Sequence, residues 1–203
     1  MAQQPIGEVD ICNLGLGHLH QKPITSIEDP VSNAEIVCAQ WYHQVRRSSL
    51  ATGAFGFSRK RALLPQLATE AEFEYAAKYK LPNDFVRLLR IGETPDDSVT
   101  LDYCIENNEI LINDMDAETL PIVYVFDFKN IAKMDSTFIE LFAIDFAIAV
   151  SPFFKPDPAV RQLLRDQRAE ILKRAKAISG QQNKPRLVHN SRMMQARRTS
   201  GVL

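Results

Sequence analysis

The apolar positions change their spacing twice along the chain. Over residues 8–21, Val9, Cys12, Leu16 and Leu19 recur at helical spacing, and a turn containing Pro23 and Pro30 follows. A second helix is predicted over 31–50, with Ala34, Val37, Cys38, Trp41, Tyr42 and Val45 on one face. Arg46 and Arg47 close it, where cations favour the negative end of the helix dipole, and Gly53 lies just beyond. From Phe55 to Phe128 the pattern becomes that of strands. The segments 55–64, 85–91, 100–105, 109–113 and 120–128 are rich in β-branched and aromatic residues. Residues 101–112 read as a hairpin turning at Asn107-Asn108, because asparagine tolerates the positive φ of a tight turn. Pro82 and Pro121 place their segments at strand beginnings or sheet edges.

Helical spacing returns at Phe138, Leu141, Phe142, Phe146 and Ala149. Ser136 or Thr137 is the expected cap, and Thr137 with Glu140 fits a capping box. Pro152 and Pro156 should end this helix. Asp157-Pro158 opens the last one, with Asp capping and Pro at the first helical position. Its stripe is Val160, Leu163, Leu164, Ile171, Leu172, Ala175 and Ile178, with Gly180 as the stop. Trp41, Phe138, Leu141, Phe142, Phe146, Leu163, Leu164 and Leu172 are expected in the core. The predicted class is α+β: a helical bundle of two N-terminal and two C-terminal helices, with an inserted small antiparallel β-sheet and an extended C-terminal arm. Residues 1–180 form the body (helices within 8–50 and 136–179, β insertion 55–128), and 181–203 the arm. There is no internal repeat.

At 203 residues, one domain of about 150 residues plus appendages is expected. The net charge of −1 hides an asymmetry. Up to Glu170 there are 16 basic residues against 25 acids; beyond it there are eight basic residues and no acid. The arm is polar and lacks an amphipathic period, so it cannot offset its own ordering entropy and is expected to be held by a partner. No apolar run reaches the roughly 18 residues of a bilayer span, since Glu140, Asp145 and Pro152 interrupt the longest, and no membrane partner is expected. The first residues lack the basic and apolar pattern of a secretory signal. Cys12, Cys38 and Cys104 are widely spaced and read as buried thiols in a reducing compartment.

Candidate chemistry is sparse. Gly15-Leu-Gly17 lacks a third glycine and falls within a helix, so close helix packing explains it better than phosphate binding. His18 and His20 diverge by roughly 200° on a helix and do not converge on one metal. His43 lies five residues from Cys38, the wrong spacing for shared ligation. Asp114, Asp116 and Glu118 lack the central Gly and terminal Glu of a calcium loop. No Ser or Cys stands in an activating context. The expectation is no enzyme, no metal and no cofactor. Trp41 and Tyr42 read as core aromatics and Arg46 and Arg47 as snorkelling or capping residues, because an acidic body repels phosphate. The basic arm suits either DNA or an acidic protein groove.

Four blocks in order resemble a known family. They are Asn13-Leu-Gly-Leu-Gly-His-Leu with Pro23-Ile-Thr-Ser-Ile-Glu-Asp-Pro30; Trp41-Tyr-His-Gln-Val-Arg-Arg47 with Phe55-Gly-Phe-Ser-Arg-Lys-Arg-Ala-Leu63; Tyr79-Lys-Leu-Pro-Asn-Asp-Phe-Val-Arg-Leu-Leu-Arg-Ile91; and Leu120-Pro-Ile-Val-Tyr-Val-Phe126 with the helix over 138–150. Their sum over about residues 10–155 resembles the phage tail tubular protein A family, the head-to-tail adaptors of short-tailed bacteriophages. Ala54-Phe55 departs from the His-Pro-Trp-like run of many members, so no role is carried over there.

The resemblance implies a structural virion protein of the tail, assembled in the host cytoplasm, without activity or cofactor. It implies a ring, typically of twelve copies, with the portal on one side and the tail nozzle and fibres on the other. Genomic DNA passes down its axis. On this reading the arm binds the portal through Arg186, Leu187, Val188, Arg192, Met193, Met194, Arg197 and Arg198. Asp96, Asp97, Asp114, Asp116 and Glu118 are then channel-lining candidates, where like charge lowers friction with DNA. The alternative is a DNA-binding or packaging accessory protein that uses the basic arm on phosphates.

Overall fold

In the computed structural model, residues 7–69, 73–93, 101–113, 118–154 and 157–181 are described, and they form four α-helices and two small antiparallel sheets. The class is α+β, as expected, but the single inserted sheet is corrected to two. Helix α1 (Glu8–His18) ends three residues before the expected boundary. His20 takes φ 55°, its amide donates to the Gly17 carbonyl, and the Gln21 amide donates to that of Leu16, both at 3.0 Å. This paired closure normally uses glycine at the left-handed position. Asn13 then fixes the following turn, donating to the Ile24 carbonyl at 3.1 Å and accepting from its amide at 2.7 Å.

Helix α2 (Asn33–Ala51) opens on a reciprocal Ser32–Glu35 capping box. Helix α3 (Ser136–Phe154) packs against α1, α2 and α4 (Pro158–Gln181). Contrary to the sequence reading, α3 is long and apolar enough to cross a membrane. In this fold it is the central core helix, and Phe138, Leu141, Phe142 and Phe146 are fully buried. Its one inward carboxylate, Asp145, accepts from Ser49 of α2 at 2.7 Å and pairs with Arg168 of α4. The helix begins at Ser136, so the cap position moves to Asp135, whose carbonyl accepts from the amides of Phe138 and Ile139. It also continues through Pro152, where an end was expected. Proline cannot donate to the Ile148 carbonyl one turn back, and the Ser151 hydroxyl does so instead at 2.9 Å.

Asp157 caps α4 as expected, its carboxylate accepting from the Ala159 amide at 2.8 Å. The helix passes the expected Gly180 stop by one residue. Leu164, Ile171 and Ala175 face the core, so Leu163, about 100° away, is 55% exposed rather than buried. Trp41 and Leu172 are only partly buried.

The strands are β1 (Arg59–Pro65), β2 (Ala77–Lys80), β3 (Phe85–Ile91), β4 (Tyr103–Glu106), β5 (Glu109–Ile112) and β6 (Thr119–Phe126). The first sheet has the order β1-β6-β3 and the second β2-β5-β4. Strand β2 was not expected, since Ala-Lys-Tyr-Lys carries little apolar signal. Central strand β6 is covered on both faces. Leu120, Ile122 and Tyr124 meet Tyr79, Ile110 and Ile112 of the second sheet, whereas Val125 joins the helical core. The result is three layers: helices, first sheet, second sheet. Pro121 lies inside β6, not at an edge or start. Its carbonyl accepts from Gly92 at 2.8 Å, just past the end of β3, so its missing N–H costs no bond to β1. The β4–β5 hairpin turns at Asn107 (φ 45°) and Asn108 (φ 62°), as expected.

Candidate anion-binding face and cleft

Strand β1 alternates as a pleated strand must. Ala62 and Leu64 turn toward the second sheet, so Arg59, Arg61 and Leu63 occupy the opposite face. Strand β3 reaches the same face by another route. Its sequence Phe-Val-Arg-Leu-Leu-Arg-Ile repeats every three residues, which no regular strand can sort onto two faces. Register shifts between Phe85 and Arg87 and between Leu88 and Arg90 absorb the extra residues. Phe85, Leu88 and Ile91 therefore pair with Phe126, Tyr124 and Ile122 on the inter-sheet side, and Arg87 and Arg90 pair with Val125 and Val123 on the other.

Cross-strand partners share a face, so three rows form there: Arg59–Val125–Arg87, Arg61–Val123–Arg90 and Leu63–Pro121. Rows are spaced about 6.8 Å along the strands, and β1 and β3 stand roughly 9.6 Å apart. Where the first row meets the helices there is a cleft of about 330 Å³, lined by Thr52, Gly53, Ala54, Phe55, Arg59, Arg87, Lys176, Ser179 and Gly180. Three of these are cations and none is an acid. Arg59 is anchored by donating to the Ala54 carbonyl at 3.0 Å. The Nε of Arg87, like those of Arg59 and Arg90, is fully buried and has no hydrogen-bond acceptor among the described residues. Leaving a buried donor unmet costs about 1–3 kcal/mol, more for a charged group. Arg61 and Lys176 are exposed and have no side-chain partner among the described residues. The geometry therefore offers strong forked donors without acceptors, an arrangement suited to binding an anion.

The arginines weighed at the sequence level are engaged elsewhere. Arg46, 3% exposed, neither snorkels nor caps: its Nε and terminal nitrogen donate to the Asp127 carboxylate at 3.2 and 3.1 Å. Arg47 donates to the Phe85 carbonyl at 3.1 Å and lies 3.6 Å from Asp127. His43 lies within 3.3 Å of Arg46 through Nδ1. The cationic face was missed because it joins residues from separate strands. The Arg59/Arg61 alternation was legible, whereas only the bulges bring Arg87 and Arg90 to one side.

Among the channel candidates only Glu118 is described. It is exposed at the entry to β6, and its carbonyl accepts from the Gln66 amide at 3.0 Å. Asp96, Asp97, Asp114 and Asp116 lie outside the described residues, as do the arm residues Arg186, Leu187, Val188, Arg192, Met193, Met194, Arg197 and Arg198. A Cβ at Gly15 would sit 2.7 Å from the Phe146 ring, so close helix packing explains that glycine; Gly17 faces open space and is not explained this way. Cys12 and Cys38, distant in sequence, meet between α1 and α2. Both thiols are fully buried, and donation from Cys12 to Cys38, together with burial, holds the Cys12 thiol far above its ordinary pKa. His18 lines a second cleft of about 520 Å³ with Glu140, Asp166 and Glu170, and Glu140 is already paired with Arg174. No group of potential metal ligands occurs among the described residues. No protein-family model matches the chain, and no characterised protein matches it.

Proposed function

We propose that the chain is a structural adaptor acting by docking, and specifically a head-to-tail adaptor of a short-tailed bacteriophage. Copies close into a ring, of twelve as the resemblance implies, between the portal and the tail nozzle, with DNA passing through the channel. In this reading the helices form a bundle about α3, and the two sheets are its insertion. The observation that carries docking is Arg87, whose buried donor has no acceptor among the described residues, beside Lys176 and near Arg61. Ser179 and Gly180 also line this cleft, and the basic segment follows directly after Gln181. The ordered sequence blocks support the partner class.

The test compares the full chain with a version truncated after Gly180 for occupancy on purified portal rings, viewed by electron microscopy. The full chain should occupy the rings. The truncated protein should keep its circular-dichroism melt and lose stable attachment. Undiminished occupancy would remove the arm as the docking element. A monomer that ignores the portal and binds duplex DNA with a steep salt slope would favour the packaging-accessory reading instead.

A further inference from the structure

We infer that the arginine rows of the first sheet bind an extended acidic peptide segment of a partner protein, with one carboxylate entering the cleft. This deepens the docking reading above and rests on it. An extended peptide repeats its side-chain positions about every 6.8 Å, the same interval that separates the rows. Carboxylates at two alternate positions then meet Arg87 with Lys176 in the first row and Arg61 in the second. Each guanidinium can receive a carboxylate through two parallel hydrogen bonds. The carboxylate in the first row meets the part of Arg87 that lines the cleft.

The third row decides between peptide and nucleic acid. Leu63 is 67% exposed and lies opposite Pro121, which forms an apolar seat beyond the two basic rows. A peptide fills such a seat with an apolar side chain two positions after its second acid. A nucleic-acid strand would call for aromatic rings on which bases stack, and the three rows contain only Arg, Val, Leu and Pro. The excess of acids over bases up to Glu170 also opposes a polyphosphate. The chain's own arm is no substitute, because no acid follows Glu170.

The experiment uses the full chain and a labelled synthetic heptapeptide with glutamates at two alternate positions and a leucine two positions further on. Fluorescence anisotropy at about 0.1 M salt reads binding, where surface pairs more than a Debye length apart are screened. The peptide should bind. R87Q and R61Q should each weaken it about tenfold, the loss of one charge-assisted contact. K133Q, an exposed change off this face, should leave it unaltered. R87Q should melt no lower than the parent, since its Nε gives up no bond; a large drop would make Arg87 structural and overturn its assignment. R61Q, at an exposed position, keeps the test decisive in that event. Absence of peptide binding, or binding indifferent to both substitutions, overturns the inference. So does tight binding of a DNA duplex of about two turns in place of the peptide. Peptide binding without portal attachment would leave this inference standing and defeat the adaptor reading, and the reverse outcome would do the opposite.

Discussion

Glu35 shows how much one side chain settles at the start of α2. Its carboxylate accepts from the amides of Ser32 (2.9 Å), Val31 (3.0 Å) and Thr25 (3.3 Å). Those bonds, first from Ser32 and then from Val31 and Thr25, hold its pKa at about 2 against the usual 4.5. A depressed carboxyl contributes stability that is complete above pH 4.5 and lost as pH falls toward 2. We therefore expect E35Q to melt below the parent at neutral pH, with the gap closing through that window. A gap independent of pH would contradict this. Phe142 is fully buried, 5.4 Å from the Tyr42 ring and 6.2 Å from that of Phe138. F142A should cost about 3–5 kcal/mol in urea denaturation, and a loss under about 1 would show that the site collapses around the cavity. The thiols give a third check. Cys12 and Cys38 should resist a disulfide reagent until the chain unfolds, whereas the half-exposed Cys104 reacts in the native protein, slowed because its hydrogen bond to Glu106 raises its pKa.

At the level of elements, helix existence was legible because α2 and α4 bury one stripe each and α3 carries a long apolar run buried on most sides. Boundaries were less so where an unusual residue does a familiar job. His20 closes α1 in place of glycine, and Ser151 satisfies the carbonyl that Pro152 abandons. Strand β2 escaped notice because two of its four residues are lysines. The site was half legible: alternation on β1 can be read, but β3 carries a three-residue period whose resolution needs two bulges set by β6. The Arg46–Asp127 pair joins α2 to the chain leaving β6, across 81 residues of sequence. D127A would strand the buried Arg46 guanidinium and should cost about 3–5 kcal/mol, measured by denaturant midpoint. A change below about 1 kcal/mol would mean that Arg46 finds water or another acceptor.

At the scale of the whole molecule, a three-layer body carries a cationic cleft at the end of α4. The helical core and the inter-sheet core share the first sheet as a common wall. Its helix-facing side carries the arginine rows, and the end of α4 lines the cleft at the first of them. In the proposed ring, weak contacts at each copy would be multiplied, and assembly would be sensitive to losing either the cleft or the basic arm. The most direct measurement is light scattering coupled to size exclusion on the full chain mixed with purified portal rings. The expected result is one complex whose mass exceeds that of the portal by a full ring of 23.0 kDa chains, with little free chain left. Elution of the chain as a separate monomer, with the portal unchanged in mass, would contradict it.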